Sequence, residues 1–436
     1  MKDYDLLVIG AGWAGFNAAL EAKKHGLKVG LIEKSQIGGT CLNQGCIPTK
    51  SLIQSAKTFA LIQKAGTFGI ETSNPHLNFL KAQERKDAVI QQLRQGMESR
   101  LKDIDLYKSE ARLLSADTII AGQEQIKAKS IILATGSKPV ELAKMKFDGR
   151  KIISSEQILN LKQIPGKLLI IGAGVIGCEF AGLFSILGST VTIAEKMPQL
   201  LPSEDKEVAK RLAAIFKKKG IKVLTAFDSA SLNPDDYDLT LVCVGRTPRI
   251  ENLGLEKTGI KLESGKIVID QFAKTSCNNI YAAGDCTGKI MLAHFAAYQG
   301  TAAAGNISQP DCPKPLIDTN IPSCVFTDPE ISSVGLSQEK AEAKNLDIKV
   351  CRFDFLRSGM ARILNEADGF LKIICDKRTE TILGSVIMGP RASELISILT
   401  IALQCKLKIS QIRDTVLPHP SLSESLTDAL KENYGI

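Results

Sequence analysis

The chain has 436 residues, a formal net charge of +8, 44% hydrophobic residues and 23% charged residues. This length suggests two or three domains, and the composition is that of a globular protein in which no apolar run reaches the roughly 20 residues of a membrane span. Because the basic residues are dispersed among acidic ones and aromatic residues make up only 5%, the sequence predicts no nucleic-acid partner.

The N-terminal sequence and the cysteines predict the cellular compartment. Residues 1–5 lead directly into an apolar segment, without the features of a signal or transit peptide. The 11 cysteines are an odd number and are scattered along the chain, unlike the disulfide framework of a secreted protein. We therefore expect a cytoplasmic protein with no membrane attachment.

A nucleotide-binding pattern begins the chain. A predicted strand at residues 6–9 leads into Gly10-Ala11-Gly12-Trp13-Ala14-Gly15, which is followed by a helix through Lys24 and a second strand that ends at Glu33. In a dinucleotide-binding unit, such glycines form the tight turn, admit the pyrophosphate and let the helix pack on the strand, while the acidic residue accepts hydrogen bonds from ribose hydroxyls. The sequence therefore predicts a dinucleotide site at Gly10, Gly12, Gly15 and Glu33.

Two cysteines follow this unit at a spacing of five residues. They lie in the segment Gly38-Gly39-Thr40-Cys41-Leu42-Asn43-Gln44-Gly45-Cys46-Ile47-Pro48-Thr49-Lys50. A helix that begins near Gly45 or Cys46 would direct its free N–H groups at the second sulfur and favour its thiolate. Two unconnected buried cysteines are the alternative, but the glycine pattern upstream favours a redox-active pair beside a bound cofactor.

The nucleotide-binding pattern returns in the middle of the chain. A predicted strand at residues 168–171 leads into Gly172-Ala173-Gly174-Val175-Ile176-Gly177, and the next strand ends at Glu195. Because two complete copies are much stronger evidence than one, we expect two bound dinucleotides, the second at Gly172, Gly174, Gly177 and Glu195. A carboxylate at position 195 accepts a hydrogen bond from a free ribose 2′-hydroxyl and repels a 2′-phosphate, which predicts NAD rather than NADP.

The cysteine segment resembles the redox-active motif of the flavin-dependent pyridine nucleotide–disulfide oxidoreductases. Eight further segments match the same family in its order along the chain: residues 134–139, 244–248, 280–286, 291–294, 321–330, 368–373, 382–390 and 419–424. The resemblance implies an α/β protein with two Rossmann-like dinucleotide-binding domains and a C-terminal α+β dimerisation domain. The implied domains are an FAD-binding domain at residues 1–140 and 272–318, an NAD-binding domain at 141–271 and an interface domain at 319–436.

The resemblance also implies which residues contact the cofactors. FAD would occupy the first glycine unit and NAD the second. Further FAD contacts are implied for Lys50, Ala111, Thr135, Gly136, Asp285 and Ala293, and a further NAD contact for Gly245. His294, next to Ala293, would be a neighbour of the flavin without a role in proton transfer.

The residues implied in catalysis are Cys41, Cys46, His419, Glu424, Lys50 and Glu179. Oxidation of a dithiol releases protons, imidazole titrates near neutrality, and a carboxylate bonded to one ring nitrogen raises its basicity. In the family, the histidine faces the disulfide of the other subunit, which implies a homodimer. Lys50 and Glu179, which lies early in the helix after the second glycine pattern, would meet beside the flavin, and a plain interdomain ion pair is the alternative for them.

Within the family, the residues of the cysteine motif most resemble those of enzymes that oxidise protein-bound dihydrolipoyl groups with NAD⁺. The implied partners are the lipoyl domains and the core of a 2-oxo acid dehydrogenase or glycine-cleavage complex. A reductase of another small disulfide and a docking scaffold without activity are the alternatives. Glutathione and trypanothione reductases carry lysine where Thr49 stands, and a scaffold needs neither Cys41 nor Cys46.

We predict no metal site. The segments 107–129 and 223–237 are shorter than in relatives of this family.

Overall fold

The computed structural model describes residues 2–228 and 231–434, so part of the shortened segment 223–237 lies outside the described residues. The chain divides into two compact units, one of Met1–Gln163 with Val242–Ile317 and one of Ile164–Leu241 with Asp318–Ile436. Each unit contains one of the two glycine patterns. Within the described ranges, no helix is long and apolar enough to cross a membrane, and no three His, Cys, Asp or Glu side chains are grouped as metal ligands would be.

The strands and helices follow the expected α/β order in the N-terminal part of the chain. The elements up to residue 154 are β1 (Lys2–Ile9), α1 (Trp13–Lys24), β2 (Val29–Ile32), α2 (Gly39–Gln44), α3 (Cys46–Gln63), α4 (Phe79–Arg100), β3 (Asp105–Tyr107), β4 (Ala111–Leu113), β5 (Thr118–Ala121), β6 (Glu124–Leu133), β7 (Ser137–Pro139) and β8 (Ile152–Ser154). The strand, helix and second strand predicted around the first glycine pattern are thereby confirmed.

The same order recurs around the second glycine pattern and gives way to a β-rich C-terminal part. The middle elements are β9 (Lys167–Ile171), α5 (Val175–Ile186), β10 (Thr190–Ala194), α6 (Lys206–Lys218), β11 (Lys222–Leu224), β12 (Leu239–Val242), β13 (Arg246–Pro248), β14 (Leu262–Glu263), β15 (Lys266–Ile267), β16 (Ile280–Ala282) and α7 (Ala293–Ser308). The last elements are β17 (Ser323–Val325), β18 (Glu330–Gly335), α8 (Gln338–Ala343), β19 (Ile348–Asp354), α9 (Gly359–Ile363), β20 (Phe370–Asp376), β21 (Ile382–Gly389), α10 (Ala392–Gln404), α11 (Ile409–Arg413) and α12 (Glu424–Tyr434).

A seven-stranded sheet forms the core of the first unit. Its order is β3-β2-β1-β6-β5-β4, and β16 pairs with the last residues of β6. The strands β3, β2, β1, β6 and β16 are parallel, whereas β5 and β4 are antiparallel additions. A Cβ atom on Gly300 of α7 would lie 2.0 Å from the carbonyl oxygen of Ala14 in α1, so the close contact of these two helices requires glycine.

The second unit contains a parallel sheet and an antiparallel sheet. The first of these sheets includes the order β11-β10-β9-β12, in which β11, β10 and β9 are parallel, and the second glycine pattern lies at the end of β9. The antiparallel sheet has the order β17-β18-β21-β20-β19, and a buried apolar cluster that includes residues of α10 and α12 packs on it. This mixture of parallel α/β and antiparallel α+β structure confirms the predicted fold class.

A buried ion pair joins α6 to the antiparallel sheet of the same unit. Nζ of Lys372, in β20, lies 2.9 Å from Oδ2 of Asp205, and both side chains are almost fully buried. Oδ1 of Asp205 accepts the N–H of Glu207 at 2.9 Å and so caps α6. Burial alone would lower the pKa of Lys372, but the hydrogen bonds to Asp205 and Glu207 raise it above its ordinary value. The lysine is therefore charged in the folded protein.

Candidate active site

The first glycine turn is shaped to admit a phosphate group. Gly10 has a φ of 102°, and a Cβ atom there would lie 2.3 Å from the carbonyl oxygen of Ala134. A Cβ atom on Gly15 would lie 1.8 Å from the carbonyl oxygen of Gly10, whereas one on Gly12 would meet nothing closer than 3.8 Å. The turn is thus closed on the protein side and open beside Gly12, at the N-terminus of α1. This shape fits the pyrophosphate of a dinucleotide such as FAD.

Glu33 is held at the end of β2 by two backbone hydrogen bonds. Its Oε2 accepts the N–H of Ala11 at 2.8 Å, and its Oε1 accepts the N–H of Ser35 at 2.8 Å. A carboxylate has about four acceptor positions, so ribose hydroxyls can bind to the same two oxygens. The carboxylate is therefore fixed to the glycine turn that it was predicted to assist.

The two cysteines lie in successive helices. Cys41 is in α2, and Cys46 is the first residue of α3, which confirms the predicted helix start. The N-terminal position places the Cys46 sulfur at the positive end of an 18-residue helix, where a thiolate is favoured. The hydrogen bond with the Cys46 thiol, followed by burial, raises the pKa of the Cys41 thiol, and the nearby Lys50 ammonium opposes this.

An asparagine inside the cysteine motif fixes the short helix α2. Nδ2 of Asn43 donates to the carbonyl oxygens of Ile37 at 3.0 Å and Gly39 at 2.9 Å. Its Oδ1 accepts a hydrogen bond from Nη2 of Arg94 at 2.7 Å. The motif shows the asparagine, but its partner lies 51 residues further along the chain in α4, and sequence reasoning did not find it. These bonds hold the backbone that carries Cys41.

A polar network surrounds Asp285. Oγ of Ser137 donates to Oδ2 of Asp285 at 2.5 Å and accepts a hydrogen bond from Nε of Arg246 at 2.8 Å. The same guanidinium binds Glu156, with Nη2 at 3.0 Å from Oε1. Gln299 accepts the N–H of Gly284, the residue before the aspartate, at 2.8 Å. The sequence singled out Asp285, whereas the structure adds Ser137, Arg246 and Gln299 as the groups that position it.

The other residues predicted to contact FAD occupy the ends of elements in the first unit. Thr135 donates to the carbonyl oxygen of Arg249 at 2.6 Å, and Gly136 follows it with a φ of 73°. Ala293 is the first residue of α7. Ala111 begins β4 and pairs with Ala121. Their contacts with FAD stay predictions.

The second glycine turn repeats the geometry of the first. Gly172 has a φ of 100°, and a Cβ atom on Gly174 would have no neighbour within 4 Å. Oε2 of Glu195 accepts the N–H of Ala173 at 2.7 Å, and its Oε1 accepts the N–H of Met197 at 2.9 Å. The two copies thus hold their acidic residues in the same way, and the open space fits a second dinucleotide. Gly177 lies in the first turn of α5, and Gly245, in the first unit, has a φ of 131°.

His419 and Glu424 are paired, as the sequence predicted. Nδ1 of His419 lies 2.8 Å from Oε1 of Glu424. Oε2 of the glutamate accepts the N–H of Ser421 at 2.8 Å, and this backbone bond, followed by the histidine, lowers the pKa of Glu424. The imidazole is 82% exposed. A base with this exposure can reach a group outside its own chain.

Glu179 lies in a different environment from these exposed groups. It is in α5 and only 3% exposed. Its Oε1 accepts the N–H of Phe326 at 2.9 Å. The predicted meeting of Glu179 with Lys50 stays a prediction.

Comparison with known proteins places the chain in a family. Residues 4–300 match the model of the pyridine nucleotide-disulphide oxidoreductases, and residues 321–430 match the dimerisation domain of the same family. The dihydrolipoyl dehydrogenase of Chlamydia trachomatis is 40% identical over 97% of this chain and 95% of the relative. A dihydrolipoyl dehydrogenase of Bacillus subtilis is 35% identical over 98% and 97%.

A solved structure shows the same architecture. The HOCl-induced flavoprotein disulfide reductase RclA of Escherichia coli superposes with a TM-score of 0.88 at 30% identity, covering 98% of this chain and 99% of that one. The similarity extends over both units.

Proposed function

The chain belongs to the pyridine nucleotide-disulphide oxidoreductase family, and within it we propose that the protein is a dihydrolipoyl dehydrogenase. It uses FAD and NAD. The substrate is a protein-bound dihydrolipoyl group, which is oxidised to the lipoyl disulfide with NAD⁺ as the final acceptor. The relatives that bear this name match nearly the full length of the chain at 35% to 40% identity.

One structural observation carries the proposal, namely the direct contact of the cysteine helices with the first glycine turn. The N–H of Gly38 donates to the carbonyl oxygen of Ala11 at 2.8 Å. A Cβ atom on Gly39 would lie 2.8 Å from Cα of Gly12. The dithiol is therefore built onto the turn that admits the cofactor, and an isolated structural cysteine pair would need no such contact.

The residues of the chain have distinct roles in the proposed reaction. Bound FAD would accept the two electrons of the dithiol and pass them to NAD⁺. Gly12 and Glu33 would hold the FAD dinucleotide, and Asp285, fixed by Ser137, would bind its polar chain. Glu195 would select NAD through the ribose hydroxyls. Lys50, with Glu179 as its proposed partner, would place a positive charge near the isoalloxazine ring.

Cys41 would exchange with the substrate thiols, while Cys46 would hold a thiolate next to the flavin. The free energy of that thiolate is lowered by the N-terminus of α3. His419 would take the proton that a substrate thiol releases, and Glu424 would orient its ring. These assignments rest on the helix positions of the two sulfurs and on the 2.8 Å contact between the histidine and the glutamate.

The protein is a homodimer by its dimerisation domain, and we propose that each active site takes its histidine from the partner subunit. Large apolar side chains are exposed in the matched region, as expected for a surface that a second copy covers. They include Leu356 (50%), Ile363 (62%), Ile401 (62%) and Val416 (94%). The exposure of His419 on the same domain is consistent with a reach across that interface.

Location, partners and domain bounds belong to the same proposal. We place the protein in the cytoplasm, as a component that serves the lipoyl domains and core of a 2-oxo acid dehydrogenase or glycine-cleavage complex. We also propose an FAD domain at residues 1–140 and 272–318, an NAD domain at 141–271 and an interface domain at 319–436.

Reduction of another disulfide is the second candidate, because a disulfide reductase shares the architecture. A substrate comparison separates the two. Purified protein is assayed with dihydrolipoamide and NAD⁺, and in parallel with glutathione disulfide and either NADPH or NADH. The proposal predicts a kcat/KM for dihydrolipoamide that exceeds the value for glutathione disulfide by orders of magnitude. Comparable values, or activity with glutathione disulfide alone, would overturn it.

A further inference from the structure

The only tryptophan of the chain lies in the first glycine pattern, and its ring N–H has no hydrogen-bond partner within the described ranges. Trp13 is the first residue of α1, and its Nε1 is buried. Its carbonyl oxygen, by contrast, accepts a hydrogen bond from Nδ2 of Asn17 at 2.8 Å. Buried donors are nearly always paired, so an unpaired one calls for a functional explanation.

Two backbone contacts bring Trp13 next to Cys41. The Gly38–Ala11 hydrogen bond and the packing of Gly39 on Gly12 join the glycine turn to the start of α2. Trp13 directly follows Gly12 of the glycine turn. Cys41 is the third residue of α2, the helix that begins at Gly39. The indole N–H is close enough to the Cys41 sulfur to lower the pKa of this thiol, although the Cys46 thiol and burial raise it more strongly.

We propose that Trp13 is a positioning residue of the redox pair, whose indole N–H donates a hydrogen bond to the Cys41 sulfur when that sulfur is a thiolate. Indole nitrogen is a donor only, and a neutral thiol is a weak acceptor. The bond is therefore made to the charged form of the sulfur and not to the neutral form. This inference rests on the proposed function, in which Cys41 exchanges with substrate thiols.

The exchange forms the Cys41 thiolate at a defined step. A substrate thiolate attacks the Cys41 sulfur of the disulfide, so that the bond to Cys46 breaks and Cys46 leaves as a thiolate. The second substrate thiol then loses its proton to the base and attacks the substrate sulfur of the mixed disulfide. The bond to Cys41 breaks, the lipoyl disulfide closes, and Cys41 leaves as the thiolate that Trp13 stabilises. A more stable leaving thiolate departs faster.

Alkylation of Cys41 as a function of pH tests the proposal. Reduced holoenzyme is pulsed anaerobically with iodoacetamide, and the Cys41 peptide is quantified by mass spectrometry for wild type and Trp13→Phe. Phenylalanine keeps an aromatic ring but has no donor. The midpoint pH of Cys41 alkylation should be about one to two units higher in Trp13→Phe than in wild type. This shift corresponds to the loss of one hydrogen bond to a charged acceptor. Asn17→Ala, which removes only the contact with the Trp13 carbonyl, should leave the midpoint unchanged. An unchanged midpoint in a flavin-containing Trp13→Phe protein would overturn the proposal.

A measurement on the wild-type chain covers the case in which Trp13→Phe does not fold. With one tryptophan in the sequence, the reduced protein gives one indole N–H signal in a ¹⁵N-correlated NMR spectrum. The chemical shift of this signal should change with pH at the same midpoint as Cys41 alkylation. In Cys41→Ser, this change with pH should be absent. A signal that does not titrate would overturn the proposal. If the protein does not oxidise dihydrolipoamide, only the proposed function is contradicted. The midpoints of Cys41 alkylation and of the indole N–H signal do not depend on turnover.

Discussion

One carboxylate binds both the ring of His419 and the backbone that precedes helix α12. Oε1 of Glu424 lies 2.8 Å from Nδ1 of the histidine, and Oε2 accepts the N–H of Ser421 at 2.8 Å. Ser421 in turn accepts the N–H of Glu424 through its Oγ at 3.4 Å, which completes a capping box. The start of the helix thereby fixes the imidazole, so that Nδ1 donates to the carboxylate and Nε2 is the atom that can take a proton.

Replacement of His419 by glutamine should damage the dithiol half of the reaction specifically. General acid–base catalysis contributes about 10²–10⁴-fold, and we expect a loss of that size in kcat for dihydrolipoamide oxidation. Electron transfer from NADH to an artificial acceptor should be far less affected, because it requires no proton transfer to this residue. Both rates are measured by stopped-flow and steady-state absorbance. An unimpaired His419→Gln enzyme would exclude the histidine as the base.

Glu424→Gln is the matched comparison for this prediction. Glutamine can preserve the capping box, so the substitution removes the charge next to the imidazole and keeps the helix start. We expect a smaller loss than for His419→Gln. Because the pKa of Glu424 is lowered in the folded protein, the wild-type charge is present at neutral pH and is lost only as the pH falls through that lowered value. The difference between wild type and Glu424→Gln should therefore persist throughout the neutral range.

Glu195 should determine the choice of NAD over NADP. It is held by the N–H groups of Ala173 and Met197, in an orientation that suits a free 2′-hydroxyl and repels a phosphate. Glu195→Ala should weaken NADH binding by about 1–3 kcal/mol, the cost of losing one buried polar partner. Isothermal titration gives this value. Glu33→Ala, the equivalent change in the first unit, should reduce FAD retention and leave the NADH affinity unchanged. Equal kcat/KM for NADH and NADPH in wild type would contradict the assignment.

The buried pair of Lys372 and Asp205 should contribute strongly to stability. Removal of one partner leaves the other charge buried and uncompensated, which costs about 3–5 kcal/mol. We expect Lys372→Met to lower the free energy of unfolding of its unit by that amount in urea titrations. The double variant Lys372→Met with Asp205→Asn should recover part of the loss. It removes the uncompensated charge, and an asparagine side-chain oxygen at position 205 can still accept the backbone N–H groups at the start of α6. A Lys372→Met protein as stable as wild type would contradict the role of this pair.

The pH dependence of the same pair follows from the raised pKa of Lys372. A lysine whose pKa is higher in the folded state stabilises the protein fully below its unfolded pKa of about 10.4. The contribution is lost as the pH rises through the higher, folded value. In wild type, the stability should therefore decline in the alkaline range, and Lys372→Met should show less of this decline.

Sequence reasoning succeeded where the signal is local. The glycine turns, the start of α3 at Cys46 and the pairing of His419 with Glu424 all depend on residues within a few positions of one another, or on a pattern that occurs twice. The C-terminal helix begins at Glu424, the same residue that binds the ring of His419.

Contacts between distant residues were not predictable in the same way. Lys372 and Asp205 are 167 positions apart, Arg94 and Asn43 are 51 apart, and Arg246 and Ser137 are 109 apart. Nothing in the sequence links the two members of any of these pairs to each other. Only the fold brings them together.

Subunit mixing should reveal whether each active site uses residues of both chains. Cys41→Ser and His419→Gln homodimers should each be inactive in dihydrolipoamide oxidation. After exchange of subunits, hybrids contain one site with an intact cysteine pair and an intact histidine, and we expect part of the wild-type activity to return. Mass spectrometry of the intact dimers verifies that hybrids have formed. Verified hybrids with no recovered activity would refute a shared site.

The redox state of Cys41 and Cys46 during the reaction tests the central claim most directly. Oxidised holoenzyme is mixed anaerobically with dihydrolipoamide, first without and then with excess NAD⁺, and each cysteine is quantified by alkylation and peptide mass spectrometry. We predict that both thiols appear on addition of dihydrolipoamide and disappear again on addition of NAD⁺, while the other nine cysteines do not change. Turnover of dihydrolipoamide without any change in the alkylation of Cys41 and Cys46 would contradict the account.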